Sequence, residues 1–295
     1  MAIKETRGDR IFGIVVFTIV TLLMLIVLYP LIYVLSCSVS SPTAVGAGEV
    51  VLWPKGFTLM GYKRVFQEPA ILLGYKNTLI YTVVGTAINL AVTVPAGYML
   101  SKKEVPGRNL FMFLFMFTMY FSGGMIPTFL LVKNLHLYNT RIVLVILGAF
   151  STYNCIICRT FFASLPHELE EAAAIDGCSP VRTFVQIVLP LSQALLGVMV
   201  LYFAVWHWNS YFNAMIYINN EEYKPLQLVL RRILILEQTS SNMMEGSDEY
   251  AAEQFKLREL IKYAVIVVSS LPVLVLYPFL QKYFVQGVMI GSIKG

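Results

Sequence analysis

Apolar residues fall along this chain in long unbroken blocks, and the charged residues are confined between them. No Asp, Glu, Lys or Arg occurs at 11–48, 77–101, 109–132, 142–158, 183–220 or 263–281. A helix needs about 20 apolar residues to cross a hydrocarbon layer about 30 Å thick. The pattern therefore predicts an all-α membrane protein, a single domain over 1–295, with six transmembrane helices near 11–36, 75–100, 109–132, 141–162, 184–213 and 260–281. Five connections remain. Residues 37–74 and 214–259 are long, 101–108 (SKKEVPGR) and 133–140 are short, and 163–183 joins the fourth span to the fifth.

The first block is far longer than the apolar region of a signal peptide, about 7 to 15 residues, and no small-x-small cleavage site follows cleanly, so it reads as a retained span. Orientation follows Lys and Arg in short loops. Lys4, Arg7 and Arg10, with Lys102, Lys103 and Arg108 on the same side, outnumber Lys133 and Arg141 opposite them. That balance puts the N-terminus and, after an even number of spans, the C-terminus in the cytoplasm, and both long loops outside. Pro30, Pro95, Pro127, Pro190, Pro272 and Pro278 lie within or near the ends of five spans, where each removes a backbone hydrogen bond and bends its helix. Gly123 and Gly124 ahead of Pro127 weaken the third span further.

Composition agrees with the blocks. Charged residues make up 13% of the 295 and apolar ones 57%, against about 25% charge in a soluble domain. Cys37, Cys155, Cys158 and Cys178 are too few and scattered for a disulfide framework. The CxxC of Cys155 and Cys158 lies inside an apolar span without a second ligand pair, so these read as small buried side chains and not as a metal site. The formal net charge of +5 is spread over short loops and forms no stripe for nucleic acid.

One short stretch departs from the apolar pattern: ELEEAAAIDGCSPVRTFVQIVLPL, residues 168–191. Leu165-Pro166 opens a helix, proline being welcome in a first turn. Glu168, Glu170 and Glu171 sit near its positive N-terminal end, and Ala172 to Ile175 continue it. Asp176-Gly177 closes it through a left-handed glycine, and Ser179-Pro180 starts a second helix as cap and first residue. Two helices then meet at a corner on one membrane face, where alanine and glycine permit another surface to approach closely. A plain connector between spans is the alternative.

Glu171-Ala172-Ala173, three residues, Gly177, nine residues, Ile187, one residue and Leu189-Pro190 match the EAA signature at every fixed position. On these residues the chain resembles the permease subunits of bacterial ABC importers, over nearly its whole length. FTLMGYKRVF (57–66), the run 77–109, GGMIPTFLLVKNLHLYNT (123–140), WNSYFNAMIYI (208–218) and KPLQLVL (224–230) resemble the carbohydrate-uptake branch. GGMIPTFLL and the IKYA of 261–264 are similar to the subgroup importing oligosaccharides from polysaccharide breakdown, uronic-acid-containing ones included. Cys178 stands where the family usually has alanine, and Gln193-Ala194 replaces a common proline.

The resemblance implies a type I importer permease fold with a cytoplasmic EAA coupling helix in the loop 163–183. Glu168, Glu171, Ala172, Ala173, Asp176, Gly177 and Pro180 are then the residues that couple to an ATPase. It also implies the company this chain keeps in a bacterial cytoplasmic (inner) membrane: lipid, a second homologous permease subunit, two copies of a cytoplasmic ATPase that holds ATP and Mg, and an extracytoplasmic solute-binding protein. The polar segment 245–260 reads as an external helix, either a contact for that binding protein or a solvated cap. No cofactor is expected on this chain.

The residues weigh on the rivals too. GxxxxGK[ST] does not occur, so ATP hydrolysis belongs to a partner. A secondary transporter or a channel for a small solute is the alternative, but a proton-coupled carrier carries carboxylates or basic residues deep in its spans, and the uncharged blocks of these spans contain only His207. An enzyme finds no support in His136, His167 and His207, isolated in sequence, and His167-Glu168 fails to complete the HExxH zinc helix. Saccharides are bound by aromatic faces and neutral polar groups. Trp206, His207, Trp208, Asn209, Tyr211 and Asn213 are the leading candidates for a substrate path, with Tyr153, Asn154 and Tyr120 beside them. Interfacial anchoring is the other reading of this aromatic run.

Overall fold

The computed structural model describes residues 6–243, 261–276 and 278, with side chains of 235–243 left aside. The described residues are helical and contain no strand. They divide into two compact units, Met1–Pro69 with Leu230–Leu271, and Ala70–Val229 with Pro272–Gly295.

In the first unit, α1 (Arg7–Ser38) opens on a capping box in which Thr6 and Asp9 bond each other's backbone N–H. Its C-terminal end is tied into the following loop. Ser36 donates to the Leu52 carbonyl at 2.5 Å, while Ser40 donates to the Ser36 carbonyl at 2.6 Å and accepts from Lys55 N–H at 3.1 Å. Two short helices, α2 (Pro42–Gly46) and α3 (Met60–Gln67), follow. Cys37 is buried against Ala44, Val45 and Val50, the apolar setting the sequence suggested for it.

The second unit is organised around α4 (Pro69–Ser101), a continuous helix despite Pro95. Pro30 likewise lies inside an unbroken α1. The breaks fall elsewhere. The third predicted span is α5 (Arg108–Tyr120) and α6 (Met125–Asn134), meeting at 111° across Phe121, Ser122, Gly123 and Gly124. The fourth is two pieces, α7 (Val143–Ile146) and α8 (Thr152–Phe162), because the chain leaves helical geometry around Gly148 and restarts with Ser151 as N-cap.

After α9 (Glu168–Ile175), the fifth is α10 (Pro180–Leu191) and α11 (Gln193–Trp208), bent by 84°. Pro190 has no N–H for the carbonyl of the preceding turn, and the helix widens to π geometry over Phe184–Val188 just before it. At the bend the buried Ser192 hydroxyl bonds back to the Val188 carbonyl at 2.7 Å. By length and composition, α1 and α4 can each cross a membrane, and each bent pair can count as one further span.

Beyond α11 come α12 (Phe212–Tyr217) and α13 (Leu226–Met243). Asn139, at φ 60°, staples the intervening turn: its side-chain oxygen accepts from Asn219 and Asn220 N–H at 3.0 and 2.9 Å, and its own N–H bonds the Tyr217 carbonyl. The sixth predicted span is represented by α14 (Ile261–Leu276). The segment 245–260 lies outside the described residues.

Candidate functional site

The corner predicted from residues 163–183 is built from ordinary helix-end chemistry. α9 begins at Glu168, two residues after Pro166, and ends in a Schellman motif: Cys178 N–H bonds the Ala173 carbonyl at 2.9 Å and Gly177 N–H the Ala174 carbonyl at 3.1 Å. Gly177 takes φ 72° there. A Cβ placed on it meets nothing within 4 Å, so the demand for glycine is one of backbone geometry and not of space. Ser179 then caps α10, its hydroxyl accepting from Arg182 N–H, with Pro180 in the first turn.

The two sides of α9 differ. Glu168, Glu171, Ala172, Ile175, Asp176, Gly177 and Pro180 are exposed, and Ile175 and the nearby Val181 show 86% and 73% of their surface. Ala173 is buried and Glu170 half-buried. Glu170 forms an ion pair with Lys102, the residue after α4. The Lys102 ammonium also lies 4.6 Å over the Tyr98 ring. Tyr98 packs at 5.5 Å on Phe162, the last residue of α8, and at 4.7 Å on Phe184 in α10. Burial lowers the Lys102 pKa from the ordinary lysine range, and Glu104 opposes that shift.

The aromatic run 206–213 divides into two faces. His207 and Trp208 are buried, Trp208 edge-on to Tyr75 at 5.9 Å. Trp206, Asn209 and Tyr211 are exposed and Asn213 half-buried. Asn209 turns back to the Val205 carbonyl at 3.0 Å and closes α11. Tyr120 ends α5 with its ring exposed, Tyr153 is exposed, and Asn154 beside it is buried.

His207 belongs to a tie across the middle of α4. Its Nε2 lies 2.7 Å from Asn89 Oδ1, and Asn89 Nδ2 donates to the carbonyls of Gly148 and Ala149 at 2.5 and 3.0 Å. A Cβ on Gly85 would stand 2.3 Å from the His207 ring, and one on Gly148 2.5 Å from the Trp206 ring. Further along α4, Tyr81 donates to the Tyr223 carbonyl, Asn77 to those of Glu222 and Lys224, and Thr78 accepts from Leu226 N–H. His207 is thus already engaged, whereas the Trp206 and Tyr211 rings are exposed.

Residues 69–288 match the family described as binding-protein-dependent transport system inner membrane component. The chain belongs to that family. Among the relatives of this inner membrane component in Bacillus subtilis (strain 168), Protein LplC is 41% identical over 99% of this chain and 97% of its own. The polygalacturonan/rhamnogalacturonan transport system permease protein YtcP is 38% identical over 97% and 99%. The fold matches a crystal structure of a bacterial ABC transporter involved in the import of the acidic polysaccharide alginate, with TM-score 0.85 and 36% identity, covering 96% of this chain and 100% of that one. The α9–α10 corner and the ties along α4 all lie inside the part of this transport component that the family covers.

Asn89, Gly85, Gly148, Lys102 and Glu170 were absent from the sequence-derived candidates. A signal for the first two was present: Asn77, Tyr81, Gly85, Asn89, Thr93 and Gly97 recur every fourth residue in an uncharged span, one polar and small face of a helix. The Lys102–Glu170 pair spans 68 positions and left no local trace.

Proposed function

We propose that this chain is the transmembrane permease subunit of an ATP-driven importer that carries oligosaccharides, uronic-acid-containing ones included, across a bacterial cytoplasmic membrane by alternating access. The outward face of α9 and α10 supports this reading most directly. Two bare aliphatic side chains, Ile175 and Val181, stand on the same capped corner as exposed Glu168 and Glu171. A fully buried aliphatic side chain contributes about 1.5–3 kcal/mol, so such a corner gains by entering a cleft in another protein. A cytoplasmic ATPase, holding ATP and Mg itself, is the partner proposed for it.

The chain then passes the membrane six times, by α1, α4, α5–α6, α7–α8, α10–α11 and α14, with both termini and the corner cytoplasmic. A second permease subunit completes the path, and an extracytoplasmic binding protein delivers the sugar. Closure of the ATPase dimer moves α9, and the bent pairs α5–α6 and α10–α11 reorient around the path. The names of YtcP and of the alginate transporter support an acidic saccharide as cargo.

The test is reconstitution in proteoliposomes with the second permease, ATPase and binding protein, following uptake of a labelled galacturonate oligosaccharide. Uptake that requires all four proteins and ATP is expected. Uptake driven by an ion gradient without the ATPase would establish the secondary transporter instead, and transport restricted to neutral sugars would remove the uronate assignment.

A further inference from the structure

Glu170 does not belong to the fixed positions of the coupling signature, and it does not face outward. On α9 it shares the inner side with buried Ala173, opposite exposed Glu171 and Ile175. Its carboxylate meets Lys102, and the two side chains retain only 21% and 16% of their surface. An ion pair this enclosed escapes most of the screening and rotamer freedom that make exposed pairs worth little, and removal of one partner leaves the other's charge uncompensated.

The geometry around Lys102 is specific to the corner. The last turn of α4, from Tyr98, with Lys102 directly after it, touches the segment before the coupling helix through Phe162, the helix itself through Glu170, and the segment after it through Phe184. From Tyr98, α4 runs unbroken to Asn77, a distance of about 32 Å at 1.5 Å per residue. At that far end, Asn77, Thr78 and Tyr81 bond the backbone of 222–226. A displacement of α9 therefore meets a stiff helix already fastened at its other end.

We propose that Lys102 and Glu170 are positioning residues that join the inner face of the coupling helix to α4, so that α4 carries the movement of the corner to the 222–226 segment. The proposal rests on the reading of α9 as the site where the ATPase docks. It assigns a second face to that helix: the outer one receives the partner, and the inner one passes the motion on.

The experiment uses the complete four-protein complex in proteoliposomes and reads three quantities: ATPase retained on the purified permease, basal hydrolysis, and hydrolysis stimulated by sugar-loaded binding protein. Lys102→Glu and Glu170→Lys should each keep the ATPase bound but reduce stimulation over basal hydrolysis by about 5-fold, the scale of coupling changes along a packed network. The exchange Lys102→Glu/Glu170→Lys should restore most of it, and Lys102→Arg should preserve it. Where a reversal prevents assembly, Lys102→Met and Glu170→Gln replace it, with the same direction expected.

Full stimulation in both single variants, or an exchange variant as impaired as the singles combined, would overturn the proposal. Ile175→Asp tests the underlying reading separately, because it should strip the ATPase from the complex. If Ile175→Asp keeps the ATPase in place, the docking reading fails; if it loses the ATPase while the Lys102 variants stay fully stimulated, only the joint fails.

Discussion

His207 hydrogen-bonds Asn89 at 2.7 Å, and the direction of that bond follows from the neighbours. Asn89 spends its amide N–H groups on the Gly148 and Ala149 carbonyls, so its oxygen can only accept and His207 must carry the proton on Nε2. Three groups from two other stretches of chain are satisfied by one side chain. Asn89→Ala leaves the imidazole N–H and two carbonyls without it, at a cost of about 1–3 kcal/mol. Thermal unfolding of the detergent-solubilised protein should show it as a lower Tm. His207→Ala should cost less in the Asn89→Ala background than alone, and strict additivity would refute the link.

Two glycines of α4 make contrasting predictions. A methyl on Gly85 meets the His207 ring at 2.3 Å, and one on Gly97 meets Cys158 Cβ at 2.4 Å and Arg159 N at 3.1 Å. Either alanine variant should be destabilised by about 1–3 kcal/mol through overpacking. His207→Ala should relieve the steric part for Gly85→Ala, since a removable ring causes it. Cys158→Ala should give no relief for Gly97→Ala, because alanine keeps the offending Cβ. Unfolding midpoints of the four single and two double variants decide the matter.

Gly177 separates conformation from space. Its φ of 72° with open surroundings predicts that Gly177→Leu costs about 1 kcal/mol or more of backbone strain, while Gly177→Asn, tolerant of this region, costs clearly less. On the docking reading, the leucine variant should assemble yet show reduced sugar-stimulated ATP hydrolysis and uptake, with asparagine between it and the native protein. Equal, undiminished coupling in both variants would remove Gly177 from that role.

Asn139 combines a left-handed backbone with two accepted N–H bonds. Asn139→Gly keeps the turn and loses the bonds, whereas Asn139→Ala loses both and should be the less stable by about 1 kcal/mol. Amide hydrogen exchange at 219 and 220 should quicken in both variants, more in alanine.

The sequence was legible where local chemistry decides. Uncharged blocks located α1 and α4, and Asp176-Gly177-Cys178-Ser179-Pro180 spelled out both the end of α9 and the start of α10. Proline was a poorer guide to bending. Pro30 and Pro95 sit in unbroken helices, whereas the 84° bend comes two residues after Pro190 and the 111° bend falls at the Gly123-Gly124 weak point ahead of Pro127. A proline's missing bond is absorbed locally, whereas a change of direction needs room on the inside of the turn and a donor such as the Ser192 hydroxyl for the freed carbonyl.

The fate of the fourth predicted span has a similar cause. Gly148 lets the Trp206 ring lie against its backbone, and its carbonyl is spoken for by Asn89, both partners distant in sequence. The same distance hid His207's role: an isolated histidine in an apolar run reads as a ligand group until Asn89, 118 positions away, is found beside it.

That separation also bears on how the protein is made. Asn89 leaves the ribosome well before residue 148 and long before residue 207, so, with α4 read as a membrane span, its helix reaches the lipid carrying an amide whose partners in the folded protein are not yet made. In hydrocarbon such a group favours water or the shelter of the insertion machinery. The helix around Asn89 should therefore linger beside the translocon until the later segments emerge, and release into the bilayer together with them.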